Sequence, residues 1–260
     1  MRFTRALVRA PSRNYAHGLT SCGEGPPHLA RALEQHEAYC AALRDRGLAV
    51  THLETAGLPD DTFVEDAAVV TSRGAVITRP GAPSRRGEVD SVAAGLRQYY
   101  PALLEIEPPG TLDGGDVCEA DEHFLVGISA RTNEAGAEQL ARHLRGMGYT
   151  ATLIDIRAVP GLLHLKTGIA YLGEGAWLVA SEILDTSQSW AGLRMRSVIS
   201  ADGEETYAAN CLRIGDAVLV ARGYPRVAEA IRGAGLRAVL LEMSEFRKMD
   251  GGLSCLSLRF

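Results

Sequence analysis

The sequence predicts a five-bladed α/β propeller, with residues 1–260 in a single domain closed by pairing of the N- and C-terminal strands. Three observations predict it. Five times a polar or glycine-containing turn runs into a β-patterned stretch, and self-similarity of this kind is the mark of a repeat architecture. Stretches of helical periodicity, each followed by an apolar strand, separate most of these copies. The fifth copy stops after one strand, and an N-terminal strand stands ready to complete it.

In chain order, "RFTRALVRA" is that N-terminal strand, and "PPHLARALEQHEAYCAALRDRG" is a helix with a glycine at its C-terminal end, leading into the strand "LAVTHLE". The first repeat, "FVEDAAVVTSRGAVITRP", holds two short apolar runs split at Ser72-Arg73-Gly74, a β-hairpin pattern. The helix "SRRGEVDSVAAGLRQYY" and the strand "LLEIEPP" follow it. The second, "LDGGDVCEADEHFLVGIS", turns at Asp121-Glu122-His123 and continues into the helix "TNEAGAEQLARHLRGMG" and the strand "YTATLIDI". The third, "HLKTGIAYLGEGAWLVAS", turns at Gly173-Glu174-Gly175; its helix, "SEILDTSQSWAGL", is weakly patterned and no strand is read after it. The fourth, "AANCLRIGDAVLVARGYP", turns at Gly215-Asp216 and leads into "YPRVAEAIRGAG", with proline in the first turn, and the strand "RAVLLEM". "GGLSCLSLRF" is the fifth. The last turn residues of the copies, Asp66, Asp116, Gly168, Cys211 and Cys255, lie 50, 52, 43 and 44 residues apart. A solenoid of such units would need distinct capping repeats; an orphan strand at each terminus fits a ring.

Composition narrows the function. A net charge of −5 with no basic cluster longer than Arg85-Arg86 argues against nucleic acid, whose phosphates call for many Lys/Arg contacts. No apolar run approaches the ~18 residues that span a bilayer, and the N-terminal "MRFTRALVRAPSRNY" lacks the apolar core of a signal peptide, so a cytoplasmic protein without a membrane partner is expected. Five cysteines without a C-x-x-C pair argue against a disulfide framework or a zinc site. A small-molecule partner fits best; a homodimer is compatible with the sequence.

Rotation about one axis brings equivalent turns to one end of it. Those turns carry Glu65 and Asp66 in the first unit, Asp113 and Asp116 in the second, His164 in the third and Cys255 in the fifth. Singly, each has an ordinary explanation, the acids as turn residues and the histidine and cysteine as core. Together they describe a cleft. A thiol with an ordinary pKa of ~8.5 needs a partner to become a nucleophile, and an imidazole is such a partner. Carboxylates around a nucleophile suit a cationic substrate rich in N–H donors, and a guanidinium offers paired N–H groups to a carboxylate.

The motifs "PDDTFVEDAAVVTSRGAVITRPGAPSRRGE", "GTLDGGDV", "ISARTNEAG", "HLKTG", "YAANC" and "RKMDGGLSCLSLRF" run in order along the whole chain. As a set they resemble the dimethylarginine dimethylaminohydrolases of the guanidine-modifying pentein superfamily. The resemblance implies hydrolysis of Nω-methyl- and asymmetric Nω,Nω-dimethyl-L-arginine to L-citrulline and methylamine or dimethylamine, through a covalent thiouronium on cysteine and without a metal or other cofactor. It implies Cys255 as nucleophile, His164 as general acid and base, and Asp113 as the acid supporting His164. Glu65 and Asp66 would hold the guanidinium, with Asp60 also at the substrate. Arg85 and Arg131 would clamp the α-carboxylate. Leu19 and Met249 would contribute backbone carbonyls, Leu19 from a lid loop. Position 113 is Asp where some bacterial members have Glu, Pro160-Gly161 before His164 reads as a small insertion, and 183–205 matches poorly. The alternatives are related guanidine chemistry (arginine or agmatine deimination, amidinotransfer) and a silent arginine-binding protein.

Overall fold

The computed structural model describes residues 3–184 and 195–260. Strand β1 (Arg5–Val8) is followed by helix α1 (Leu29–Asp45) and β2 (Ala49–His52). The first repeat forms the hairpin β3 (Ala68–Thr71) and β4 (Gly74–Ile77), then α2 (Val89–Leu96) and β5 (Leu103–Glu105). The second forms β6 (Val117–Ala120), β7 (His123–Ile128), α3 (Glu134–Gly146) and β8 (Thr150–Asp155). The third forms β9 (Ile169–Gly173), β10 (Ala176–Ala180), the single turn α4 (Ser181–Leu184) and β11 (Ser197–Ala201). The fourth forms β12 (Leu212–Ile214), β13 (Ala217–Ala221), α5 (Pro225–Gly233) and β14 (Arg237–Leu241). A short α6 (Ser244–Arg247) precedes β15 (Ser257–Arg259).

These strands make five three-stranded sheets. In each complete repeat the hairpin is antiparallel and the strand after the helix runs parallel to the hairpin's second strand. The helix is needed because parallel neighbours cannot be joined by a tight turn. The fifth sheet is the closure read from the sequence. In it β1 pairs antiparallel with β15, Ala6 opposite Arg259 and Val8 opposite Ser257, and parallel with β2. Closing the ring removes the open edge that an orphan strand would expose.

Two elements differ from expectation. The sequence reading gave the third unit no final strand, yet β11 pairs with β10 along its full length; its "SVISA" is largely exposed, so the apolar alternation that marks a half-buried strand is missing. Of the weak helix "SEILDTSQSWAGL" only Ser181–Leu184 is helical, and 185–193 lie outside the described residues.

The first strands of the repeats face the axis, β3 beside β15, β6 beside β9 and β9 beside β12. A short 3-10 turn enters each of them: Val64–Ala67, Gly114–Asp116, Leu165–Thr167, Gly203–Ala209 and Ser254–Leu256. The fifth turn touches the first, the first the second, the second the third, and the third the fourth. Gly114 shows how closely they meet, because a Cβ there would stand 2.0 Å from the Glu65 carbonyl oxygen. Gly114→Ala is therefore expected to cost about 3 kcal/mol of stability through overpacking against backbone that cannot yield, read as a lower denaturation midpoint.

Candidate active site

One small cleft, of about 20 Å³, opens over these turns and is lined by Leu19, Asp60, Asp66, Arg85, Arg131, His164, Met249 and Cys255 together with Phe63, Leu163, Asp250 and Gly251. Eight of the ten residues expected at the site are in that lining. A larger cavity of about 310 Å³, lined among others by Phe3, Glu119, Lys166, Arg213 and Arg259, contains neither Cys255 nor His164. Size does not decide here, because the chemistry sits in the smaller space.

Asp113 is fully buried behind the lining, and its Oδ2 lies 3.0 Å from Nε2 of His164. Its other oxygen accepts the Gly81 N–H at 2.9 Å and its own N–H bonds the Thr132 hydroxyl, so the carboxylate is held in place before it meets the ring. The neighbouring Asp116 accepts from Ser129, Thr132 and the Leu165 N–H, which fixes the second turn to the third. Burial disfavours a charged His164, but Asp66, Asp116 and the hydrogen bond to Asp113 outweigh it and raise the pKa to about 9. At neutral pH the ring is an acid. Asp66, Asp113 and His164 each bring a ligand atom within 4.8 Å of the others. With both ring nitrogens protonated the imidazolium has no nitrogen lone pair to offer, so while His164 holds its proton the trio is a proton donor with its carboxylates.

The sign of the linkage follows from that raised pKa. Below about pH 6.5 both folded and unfolded chains hold the proton and the stabilisation is complete; as pH rises through about 9 the folded state releases it and the stabilisation is lost. Thermal stability is expected to decline across that window, and the decline attributable to this group to disappear in His164→Gln.

Asp66 accepts from Arg85 Nη1 at 2.6 Å and from the Gly115 N–H at 2.9 Å. Burial would push its pKa up, but His164 and Arg85 hold it down at about 2. Arg85 lines the cleft with its guanidinium already bonded to protein groups. Its Nε and Nη2 are taken by Glu88, Nη2 at 2.8 Å, and Nη2 also reaches the Asp60 and Phe63 carbonyls. The fork is thus committed to protein carboxylates, and Glu88 is a buried partner that the sequence reading did not single out, although its i,i+3 spacing from Arg85 was visible. Arg131 also lines the cleft, and among the described residues its guanidinium makes no ion pair. Asp60 accepts the Leu19 N–H through both oxygens, at 3.0 and 3.2 Å, which ties the exposed Leu19 to the cleft; Met249 is buried beside it.

Glu65 is turned away from the cleft. Its carboxylate is absent from the cleft lining and points to the axial cavity, where Oε1 meets Lys166 Nζ at 2.6 Å and Arg259 Nη2 at 3.0 Å while Oε2 accepts from Ser254. It lies near Cys255 as a charge, without facing the substrate space. Cys255 itself is partly open to the cleft. Burial, then Glu65 and Asp66, push its thiol up to about 12, against smaller pulls from the Gly252 N–H and Lys166. At rest it is a neutral thiol.

A closed five-unit propeller with a thiol, an imidazole and carboxylates at one end of its axis defines a pentein of the guanidine-modifying kind, and residues 52–207 match the arginine deiminase family. Among relatives, the chain is 42% identical over 260 residues to the N(G),N(G)-dimethylarginine dimethylaminohydrolase of Pseudomonas aeruginosa, covering 99% of this chain and 100% of that one. It is 35% identical to the enzyme of the same name from Streptomyces coelicolor, covering 98% and 96%. It superimposes on the DDAH from Pseudomonas aeruginosa, a cysteine-to-serine mutant complexed with citrulline, with a TM-score of 0.94 at 40% identity over 100% of both chains. The N-terminal domain of ArgZ shares the fold, with a TM-score of 0.84 at 21% identity. The chain belongs to the dimethylarginine dimethylaminohydrolase family.

Proposed function

We propose that this chain hydrolyses asymmetric Nω,Nω-dimethyl-L-arginine and Nω-methyl-L-arginine to L-citrulline and the methylated amine, with Cys255 as nucleophile, His164 as acid then base, and Asp113 holding His164. The observation that carries this is the meeting of Cys255, His164 and Asp66 in one cleft of a chain of this family. Residues 1–260 act as one catalytic propeller, and the partner is a small molecule rather than nucleic acid or a membrane. No helix among the described residues is long and apolar enough to cross a membrane, in keeping with a cytoplasmic location.

Asp66 receives the guanidinium, orients it and localises charge that is otherwise spread over three nitrogens. The cation arms the nucleophile, since a positive charge beside the thiol offsets Glu65 and Asp66 and favours thiolate. The thiol releases its proton to solvent, and the thiolate sulfur bonds to the guanidinium carbon. His164 gives its proton to the departing dimethylamine as the C–N bond breaks, leaving a thiouronium on Cys255. The ring, now neutral, takes a proton from water as water attacks the same carbon. The S–C bond breaks as the hydroxyl proton of the adduct passes to the departing sulfur, citrulline keeps the water oxygen, and His164 is again an acid. Because the first step needs the imidazolium, kcat/KM is expected to fall above about pH 9, and Asp113→Asn to move that limb to lower pH.

Arg131 is the cation with capacity for the α-carboxylate, and Asp60 with the Leu19 and Met249 carbonyls forms the ammonium end of the cleft. Arg131→Ala is expected to raise KM by about 10- to 100-fold, the worth of a hydrogen bond to a charged group, with kcat little changed. A cleft of about 20 Å³ holds about one water, so it must widen to admit the substrate. The test is citrulline and amine release from dimethylarginine, monomethylarginine, arginine and agmatine. Release from the methylated amino acids above arginine supports the reading; preference for arginine or agmatine, or binding without turnover, overturns it.

A further inference from the structure

The fourth unit supplies none of the residues expected at the site, although its turn stands with the others around the axis. The structure assigns it one: we propose that Asn210 is a catalytic residue, its side-chain amide donating to the sulfur of Cys255 and stabilising thiolate as it attacks and again as it leaves. This rests on the reading of Cys255 as nucleophile.

Asn210 follows the turn Gly203–Ala209, is buried, and is the fourth residue of the "YAANC" segment. Its Oδ1 accepts the backbone N–H of Ser254 at 2.9 Å, the residue before Cys255. An amide has one accepting and one donating end, so fixing Oδ1 there directs Nδ2 to the thiol, 3.7 Å from Sγ. The Gly252 N–H reaches the same sulfur at 3.4 Å. A Cβ on Gly252 would stand 2.4 Å from the Asn210 Cγ, so glycine is what lets this backbone lie against the amide. Ser254 in turn donates to Glu65, so the amide belongs to a connected set that ends in the buried ion pairs with Lys166 and Arg259.

The surroundings explain why a neutral donor is useful. Glu65 and Asp66 oppose a thiolate, Lys166 favours it from the axial side, and the phenols of Tyr15 and Tyr207, both shifted upward, stay protonated and carry no charge. His164, across the cleft, must keep its proton for the leaving amine. Another cation near the sulfur would repel a guanidinium substrate. Two N–H dipoles stabilise the anion without that repulsion, and their interaction weakens once sulfur is bonded in the thiouronium. They therefore act on the two transition states in which sulfur carries charge.

The test compares wild type, Asn210→Ala, Asn210→Asp and Cys255→Ala for kcat and KM on dimethylarginine, together with the pH dependence of thiol alkylation by iodoacetamide and the melting temperature. Asn210→Asp keeps the acceptor for Ser254 but has no donor for sulfur. If Asn210 served only to brace the turn, the Asp variant would be spared and the Ala variant impaired. The expected result is the opposite order: kcat falls by about 100-fold in the Ala variant and further in the Asp variant, KM moves little, and the alkylation midpoint shifts to higher pH in both. A folded Asn210→Asp with kcat within about threefold of wild type overturns the proposal. Should Asn210→Ala not fold, the Asp variant carries the decision. Activity surviving in Cys255→Ala would instead overturn the nucleophile reading, whatever the Asn210 variants do.

Discussion

Cys255→Ser is expected to bind dimethylarginine and to release no measurable citrulline, a loss of more than about 10⁴-fold in kcat. The magnitude follows from what the position supplies. The guanidinium carbon is a weak electrophile, and the thiol reaches it because a cation beside Glu65 and Asp66 favours its ionisation. A serine hydroxyl in the same place starts from a much higher pKa, so the same offset yields almost no alkoxide. The remaining cleft is unchanged: Asp66 stays on Arg85 and Gly115, and Asp60 stays on Leu19. Binding should therefore survive while chemistry does not. The measurement is calorimetric or fluorescence titration with dimethylarginine beside a citrulline assay. Turnover within about 100-fold of wild type would remove Cys255 from the nucleophile's place and leave the cleft to direct attack by water.

The ring was legible in the sequence because its parts recur. Four hairpins, the orphan "CLSLRF" and the N-terminal strand were readable from turn residues and alternation, and the observed pairing of Val8 with Ser257 is the closure they implied. The convergence of Cys255, His164 and Asp66 followed from rotation alone, without any one position being distinctive. Side-chain direction was not legible. Glu65 and Asp66 are adjacent, yet one carboxylate points to the axial cavity and the other to the cleft, because consecutive residues of a tight turn project to different sides. Nor was the commitment of Arg85, whose charge is absorbed by Asp66 and Glu88 only in the folded chain. Asn210 was hidden for a similar reason. Its role depends on which end of the amide Ser254 occupies, and that is a tertiary fact.

His164→Gly separates the two chemical steps. With dimethylarginine the variant is expected to lose about 10³-fold or more in turnover, because expulsion of dimethylamine without a proton is prohibitively slow. With S-methyl-L-thiocitrulline the group expelled without an acid is methanethiolate, far less basic than the dimethylamide anion that dimethylarginine would have to release, so attack by Cys255 can expel it unaided. The next step still lacks a base to activate water. A covalent adduct on Cys255 is therefore expected to accumulate, visible as a mass increase on the intact protein and absent in the double variant His164→Gly with Cys255→Ser. Asp113→Asn should behave differently, since the ring remains and only its charge support is lost: turnover falls less, and its alkaline limit moves down from about pH 9. If His164→Gly instead turned over S-methyl-L-thiocitrulline at the wild-type rate with no adduct, another group would be activating the water. His164 would then be an acid alone, and the base would have to be sought among Asp66 and Asp60, the cleft carboxylates.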